Sequence, residues 1–243
     1  MTDRKIFRLS GEDSHSFLQG LVTNNVDNVK DGLVYAALLT PQGKYMADFF
    51  IAADGDDLLI DVAADLAPML FQRLSMYKLR AKAALEETDL QVQRGTGDAP
   101  EGALADPRHA ALGWRLYGAE GGDDGTDWTA LRVAHCIPET GVELTPDTFI
   151  LEAGFEALNG VDFRKGCYVG QEVTARMKHK TELRKGLARV TVTGEAATGD
   201  KILNGEKEAG TLLSRAGDEA IAYLRFDRAE GEMQAGDAVV RRI

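Results

Sequence analysis

The residues best equipped for chemistry lie together at Lys165-Gly166-Cys167-Tyr168-Val169-Gly170-Gln171-Glu172. One of only two cysteines stands there between two glycines, two residues after a lysine and ahead of a charged, helix-like run. Glycines this close let the backbone take positive φ or approach a ligand. A free cysteine is ordinarily a small buried hydrophobe. Here Lys165 and the N-terminus of a helix expected over 170–180 would both favour the thiolate. No histidine is adjacent in sequence to act as its base, so a redox-sensitive or partner-contacting thiol is as open as a catalytic nucleophile. The next stretch carries Arg176, Lys178, Lys180, Arg184 and Lys185, the most basic run in the chain. It reads either as a solvated helix face or as a positive rim for an anionic ligand tail.

Other chemistries find little support. His15, His109, His135 and His179 form no pair at i+3 or i+4, and there is no Cys-x-x-Cys, so a zinc site from these residues is not expected. Two cysteines cannot supply the four ligands an iron–sulfur cluster usually takes. The aspartate clusters at 54–57 and 123–127 lack the spacing of a calcium loop. Gly95-Thr96-Gly97 has no third glycine, which leaves dinucleotide binding weakly supported, and no Gly-x-Ser-x-Gly elbow occurs.

The net charge of −11 argues against a broad phosphate-binding surface, and direct nucleic-acid contact is not expected. It leaves room for a local basic pocket. With 44% hydrophobic and 28% charged residues over 243 positions, the chain has the make-up of a soluble globular protein with one large or two smaller cores. No apolar run approaches the roughly 20 residues of a membrane span. No apolar leader segment is visible and cysteines are few, so a cytoplasmic or matrix-like compartment with free thiols is expected.

These groups must be positioned by a mixture of strands and short helices. Strands are predicted at 5–9, 33–39, 46–52, 58–62 and 78–86, with an isolated one near 114–117. Pro41-Gln42-Gly43-Lys44 and Asp54-Gly55-Asp56-Asp57 read as hairpin turns. Helices are predicted after Ser10-Gly11-Glu12-Asp13, with Phe17, Leu18 and Leu21 on one face, and over 63–76, 128–134 and 149–158. Thr126 is a modest cap for the third. Gly121-Gly122-Asp123-Asp124-Gly125 reads as a solvated loop. After Gly186, short strands punctuated by glycines suggest a small antiparallel barrel, with the boundary near 184. Asp48 falls on the face of its strand shared with Met46 and Phe50, where an unpartnered carboxylate is costly.

The Lys165–Glu172 octet resembles the signature of the YgfZ-type folate-binding proteins, relatives of the aminomethyltransferase (T-protein) of the glycine cleavage system. Shorter pieces fall in matching order: Phe17-Leu18-Gln19-Gly20 with Thr23-Asn24, Leu39-Thr40-Pro41-Gln42-Gly43-Lys44 with Asp48, Ile137-Pro138-Glu139, Leu151-Glu152-Ala153, Gly210-Thr211-Leu212-Leu213-Ser214 and Ala222-Tyr223-Leu224-Arg225. The resemblance implies an α+β fold. Aminomethyltransferase-like folate-binding subdomains would form a ring over residues 1–183, with a small antiparallel β-barrel over 184–243. It also implies tetrahydrofolate, or a one-carbon derivative, as cofactor. The implied role is assembly or repair of iron–sulfur clusters in client enzymes, with a link through such enzymes to tRNA modification.

By the same resemblance, Glu152 matches the carboxylate that pairs with the pterin edge, a bidentate contact stronger than neutral hydrogen bonds. Asp48 matches a catalytic aspartate, and Cys167 the functionally central thiol. Arg176, Lys165 and Gln171 join Glu152 as candidate folate-binding residues, Arg176 toward the anionic glutamate tail. Asn24-Asn25 stands where relatives often carry Asn-Asp. Arg132-Val133-Ala134-His135-Cys136 stands where the transferases carry Arg-Leu-Glu-Ala-Gly. Both departures weigh against aminomethyl transfer, although a folate-dependent one-carbon transferase or demethylase remains the alternative activity.

Overall fold

The computed structural model describes residues 3–179 and 182–243, so that Lys180 of the basic run lies outside the described residues. The chain forms two compact units. The first comprises residues up to Thr126 together with Glu156–Val173; the second comprises Asp127–Phe155 and Thr174–Ile243.

The first unit is organised by an antiparallel sheet of β1 (Arg4–Ser10), β2 (Val34–Leu39), β3 (Tyr45–Asp54), β4 (Asp57–Ala63) and β5 (Ala84–Glu87), in the order β2-β3-β4-β1-β5. Alternation sends Phe7, Leu9, Val34, Ala36, Leu38, Phe49, Ile51, Leu58, Ile60 and Val62 to one face. There they pack with Leu18 of α1 (Ser14–Gln19) and with Leu70 and Leu74 of α2 (Ala67–Tyr77). Each such fully buried side chain contributes about 1.5–3 kcal/mol relative to exposure. The register places Tyr35, Phe50, Asp61 and Ile6 in one row across the opposite face. A smaller sheet of β6 (Gln91–Gly95), β7 (Leu104–Ala105), β8 (Trp114–Gly118) and β9 (Gly122–Asp123), ordered β7-β8-β6-β9, supplies partners to that row.

The contacts on this second face are ionic. Arg4 Nε and Arg115 Nη1 donate to the Asp61 carboxylate at 2.6 and 3.1 Å, and the Tyr117 hydroxyl donates to it at 3.1 Å. Arg115 Nε also reaches Asp106 at 3.3 Å, which Arg108 holds through two further donors. The guanidinium carbons of Arg115 and Arg108 lie 3.9 and 4.8 Å from the centre of the Phe50 ring. Burial alone would push the Asp106 carboxyl up. The charge and hydrogen bonds of Arg108, followed by the charge of Arg115, more than reverse this and bring it from 3.8 to about 2. The folded state therefore favours the ionised form. Its stabilisation is complete above about pH 4 and is lost as pH falls toward 2. Arg108→Ala is expected to cost at least about 2 kcal/mol at neutral pH and to flatten that acid limb. Urea midpoints measured from pH 2 to 7 check it.

In the second unit, α3 (Trp128–His135) packs against three strands of a closed barrel, β10 (Lys185–Thr193), β12 (Lys207–Ala216) and β13 (Glu219–Arg225). The barrel is completed by β11 (Lys201–Asn204), β14 (Glu232–Ala235) and β15 (Ala238–Arg242), in the order β10-β13-β12-β11-β14-β15. Closure leaves no unpaired sheet edge. Val190, Val192, Ile202, Leu212, Leu224, Met233 and Val240 fill it. Arg132 of α3 is buried and answered by Glu139 at 2.8 Å, Glu143 at 3.4 Å and the Ile137 carbonyl at 3.1 Å. The arginine of the middle helix thus finds its carboxylates downstream rather than in its own segment. The last helix, α4 (Gln171–His179), starts on the final two residues of the signature. No helix among the described residues is long and apolar enough to cross a membrane.

Several local expectations are corrected. Of the predicted strand at 78–86 only Ala84–Glu87 pairs; before it the chain turns, with Ala81 N–H donating to Lys78 O at 2.7 Å and Asp13 holding the backbone of Lys82. The 114–117 strand is not isolated but sits between β7 and β6. Residues 121–125 are exposed as expected, but Gly122 and Asp123 pair in parallel with β6, and the Asp124 carboxylate accepts from Thr96 N–H and the Thr126 hydroxyl. The cap of α3 is Asp127, accepting from Ala130 N–H at 2.9 Å, rather than Thr126. Residues 149–158 run as successive turns instead of a helix. Gly154 takes φ +78°, and the carbonyl of Glu152 is taken by Leu187 N–H of β10 at 2.8 Å. A helix there would need that carbonyl for its own ladder.

Candidate functional site

The signature loop belongs to the first unit, and its two glycines differ. Gly166 has open space about it, whereas Gly170 takes φ +84° and lies so close to the Thr40–Gly43 turn that a Cβ would sit 2.7 Å from Thr40 O. Gly43, at φ +74°, faces it across the contact, and a Cβ there would sit 2.7 Å from Cβ of Val173. Glycine is required because backbone meets backbone here, not a ligand. The loop is thereby seated on the hairpin that starts β3. Thr23 and Asn24 seat its approach. The Thr23 hydroxyl donates to Gly160 O at 2.7 Å, and Asn24 Nδ2 donates to Tyr35 O and Asn159 O at 2.8 and 2.6 Å.

Within the loop, Lys165 is buried and Cys167 is exposed. Lys165 Nζ donates to the carbonyls of Gln19 and Val22 at 2.7 and 2.5 Å, tying the loop to the end of α1. Burial lowers its ammonium pKa to about 8, against the opposing charges of Asp162 and Asp27. Gln171 Nε2 reaches back to Gly166 O at 3.4 Å. The loop thus holds itself rigid from inside and presents the thiol outward.

Asp48 lies on β3, buried, on the same face as Phe50. Its Oδ1 accepts from the Tyr45 hydroxyl at 2.6 Å and its Oδ2 from the Tyr35 hydroxyl at 3.0 Å. Burial, followed by the Asp48 charge, pushes the Tyr35 phenol well above its ordinary range, so Tyr35 remains a donor. The partners that a buried carboxylate on this strand requires are therefore two phenols.

Glu152 and Arg176 belong to the second unit. Glu152 is 9% exposed and faces a cavity of about 760 Å³, also lined by Met177, Glu182, Leu183, Arg184, Lys185 and Arg225. Its Oε2 accepts from the Tyr223 hydroxyl at 2.5 Å and lies 3.7 Å from Lys185 Nζ, which also sits over the Tyr223 ring. Burial and the bond to Glu152 hold the Tyr223 phenol above its usual range. Arg176 is exposed on α4; among the described residues the cations that line the cavity are Arg184, Lys185 and Arg225. Tyr223 and Arg225 were missed as site residues. Their signal is the period of two along β13, with Arg225 directly opposite Lys185.

This arrangement can do two things. A nearly buried carboxylate beside a cationic rim suits a ligand with a donor-rich edge and an anionic tail. An exposed thiol on a rigid loop suits contact with a partner or exchange chemistry.

Residues 184–242 match the family model described as CAF17, C-terminal beta-barrel domain. The chain is similar to proteins named iron-sulfur cluster assembly factor IBA57 homolog, mitochondrial. That of Mycosarcoma maydis is 34% identical over 75% of this chain and 54% of the relative, and that of Neurospora crassa 32% over 76% and 51%. The Mus musculus iron-sulfur cluster assembly factor IBA57, mitochondrial, is 29% identical over 98% of this chain and 82% of its own length. The chain spans about half the length of the fungal relatives. Among solved structures it is similar to the glycine cleavage system aminomethyltransferase T from Bartonella henselae, with a TM-score of 0.78 and 12% identity over 100% of this chain and 83% of that one. At that identity the likeness shows the fold: aminomethyltransferase-like and α+β, with a closed six-stranded C-terminal barrel. The expectation of a cytoplasmic protein is overturned, because these relatives are named as mitochondrial. That expectation weighed signals for secretion, which are apolar, whereas signals for mitochondria are amphipathic and Arg-rich.

Proposed function

We propose, from its similarity to the IBA57 iron-sulfur cluster assembly factors, that the chain is a tetrahydrofolate-binding accessory protein, of the YgfZ type, for assembly or repair of clusters in client enzymes. The observation that carries the folate part is the cavity around Glu152. One carboxylate oxygen is fixed by Tyr223 and Lys185, and Oε1 has no partner among the described residues, which leaves it able to accept from a pterin edge. Arg184, Lys185 and Arg225 suit the glutamate tail. The volume is in the range of small-molecule sites. The residues present therefore fit the cofactor. Bound reduced folate would supply nitrogens able to carry a one-carbon unit. Cys167 serves the cluster side, as an exposed thiol for sulfur, redox or partner contact. The link to tRNA modification would run through a cluster-containing client enzyme.

The test is complementation of a strain lacking its own relative, with iron–sulfur enzyme activities as readout. Cys167→Ala is expected to fall to the empty-vector level while the purified variant still binds tetrahydrofolate. Full activity of Cys167→Ala would remove the thiol from the function. The one-carbon transferase reading predicts turnover of N-methyl or glycine-derived donors to methylene- or formyl-folate, lost in Asp48→Asn. Binding without turnover leaves the accessory role.

A further inference from the structure

Five large apolar side chains are exposed among the described residues. Three of them, Met76 at 55%, Tyr77 at 39% and Leu79 at 90%, fall within four consecutive positions at the end of α2. The segment is a tethered turn: Lys78 N–H bonds Leu74 O at 3.0 Å, Ala81 N–H bonds Lys78 O, and Asp13 holds Lys82 through side chain and backbone. Its apolar groups point outward while Leu70 and Leu74 of the same helix are buried. Arg73, Lys78 and Arg80 are interleaved with them and form no ion pair among the described residues; Lys82 pairs with Glu12 at 2.8 Å. Three unpaired cations around an apolar tip stand out on a chain of net charge −11.

We propose that the last helical turn of α2 and the turn that follows it, residues 73–80, are the anchor of a docking surface for a protein partner that presents an apolar socket ringed by carboxylates. Interface cores are enriched in aromatic residues, Met and Arg, the composition found here. A few such residues set into a pocket supply most of the binding energy of an interface, and complementary charge at the rim steers the encounter. Charge also decides against an anionic bilayer. Glu12, Glu86 and Glu87 are exposed in the adjoining segments, and an extended negative surface would meet them together with the cations. A socket the size of the turn would not. The proposal does not rest on the folate reading.

The test places a photo-crosslinking benzophenone side chain at Leu79 of the full chain in cells and maps the adduct by peptide sequencing. The expected adduct joins one protein, at a segment where carboxylates border an exposed apolar patch. Arg73→Glu with Arg80→Glu should lower its yield about tenfold. Reversing the mapped carboxylates to lysine in the partner should restore it. All of these positions except Lys78 are well exposed, so the variants should keep their fold. The proposal is overturned by adducts to phospholipid, to a second copy of this chain or to many proteins alike. It is equally overturned by no adduct, or by a yield the charge reversals do not change.

Discussion

Asp61→Ala is expected to destabilise the first unit by about 3–5 kcal/mol, among the largest single-site effects available in this chain. The Asp61 side chain is 1% exposed and is the shared acceptor of Arg4, Arg115 and Tyr117. Its removal strips Arg4 and the Tyr117 hydroxyl of their carboxylate and leaves Arg115, over the Phe50 ring, only Asp106, which it shares with Arg108. An uncompensated buried charge costs more than an intact pair contributes. Replacing both charges by apolar groups, Asp61→Leu with Arg115→Met, should therefore cost less than the sum of the two single changes. Urea unfolding reads this as a lowered midpoint at unchanged slope. A cost under about 1 kcal/mol for Asp61→Ala would mean that water reaches the layer and screens it. The layer matters to function because it braces β3 at Phe50, two positions from Asp48 on the same face.

Glu152→Ala is expected to weaken tetrahydrofolate binding by about 100-fold, which corresponds to roughly 3 kcal/mol. The estimate follows from two charge-assisted hydrogen bonds to a pterin edge at about 1.5 kcal/mol or more each. Tyr223→Phe removes only the hydroxyl that fixes Oε2, and should cost about tenfold or less. Arg225→Ala should weaken the anionic tail and reduce the salt dependence of binding. Calorimetry with the reduced cofactor separates the outcomes. Wild type that fails to bind ends the folate reading, whereas equal binding by wild type and Glu152→Ala moves the pterin elsewhere. Circular dichroism of each variant guards against a trivial loss of fold.

The parts of the fold written in local signals were legible. Alternation located β1 to β4, the Pro41–Lys44 and Asp54–Asp57 turns were read correctly, and the glycine-punctuated tail closes into the barrel expected of it. Predictions failed where a distant partner overrules the local pattern. Alternation at 78–86 is overruled by Asp13, and the apolar spacing of 149–158 by β10, which takes the Glu152 carbonyl. Lys165 reads in sequence as a neighbour for the thiol, but its ammonium is spent on the carbonyls of Gln19 and Val22.

By itself the sequence determined which groups are present to be used: one cysteine between glycines, a carboxylate on an apolar-facing strand position at Asp48, another at Glu152, and a basic run in an acidic chain. Spacing within a few residues carries that information, because turns, caps and strand faces are short-range. The tertiary structure decided what each group is paired with. Asp48 received two tyrosines, and Glu152 received Tyr223 and Lys185. The buried ionic layer was assembled from residues 4, 61, 106, 108 and 115. Such pairings join positions up to 71 residues apart, and no local pattern encodes them; they exist only once strand register and packing bring the segments together.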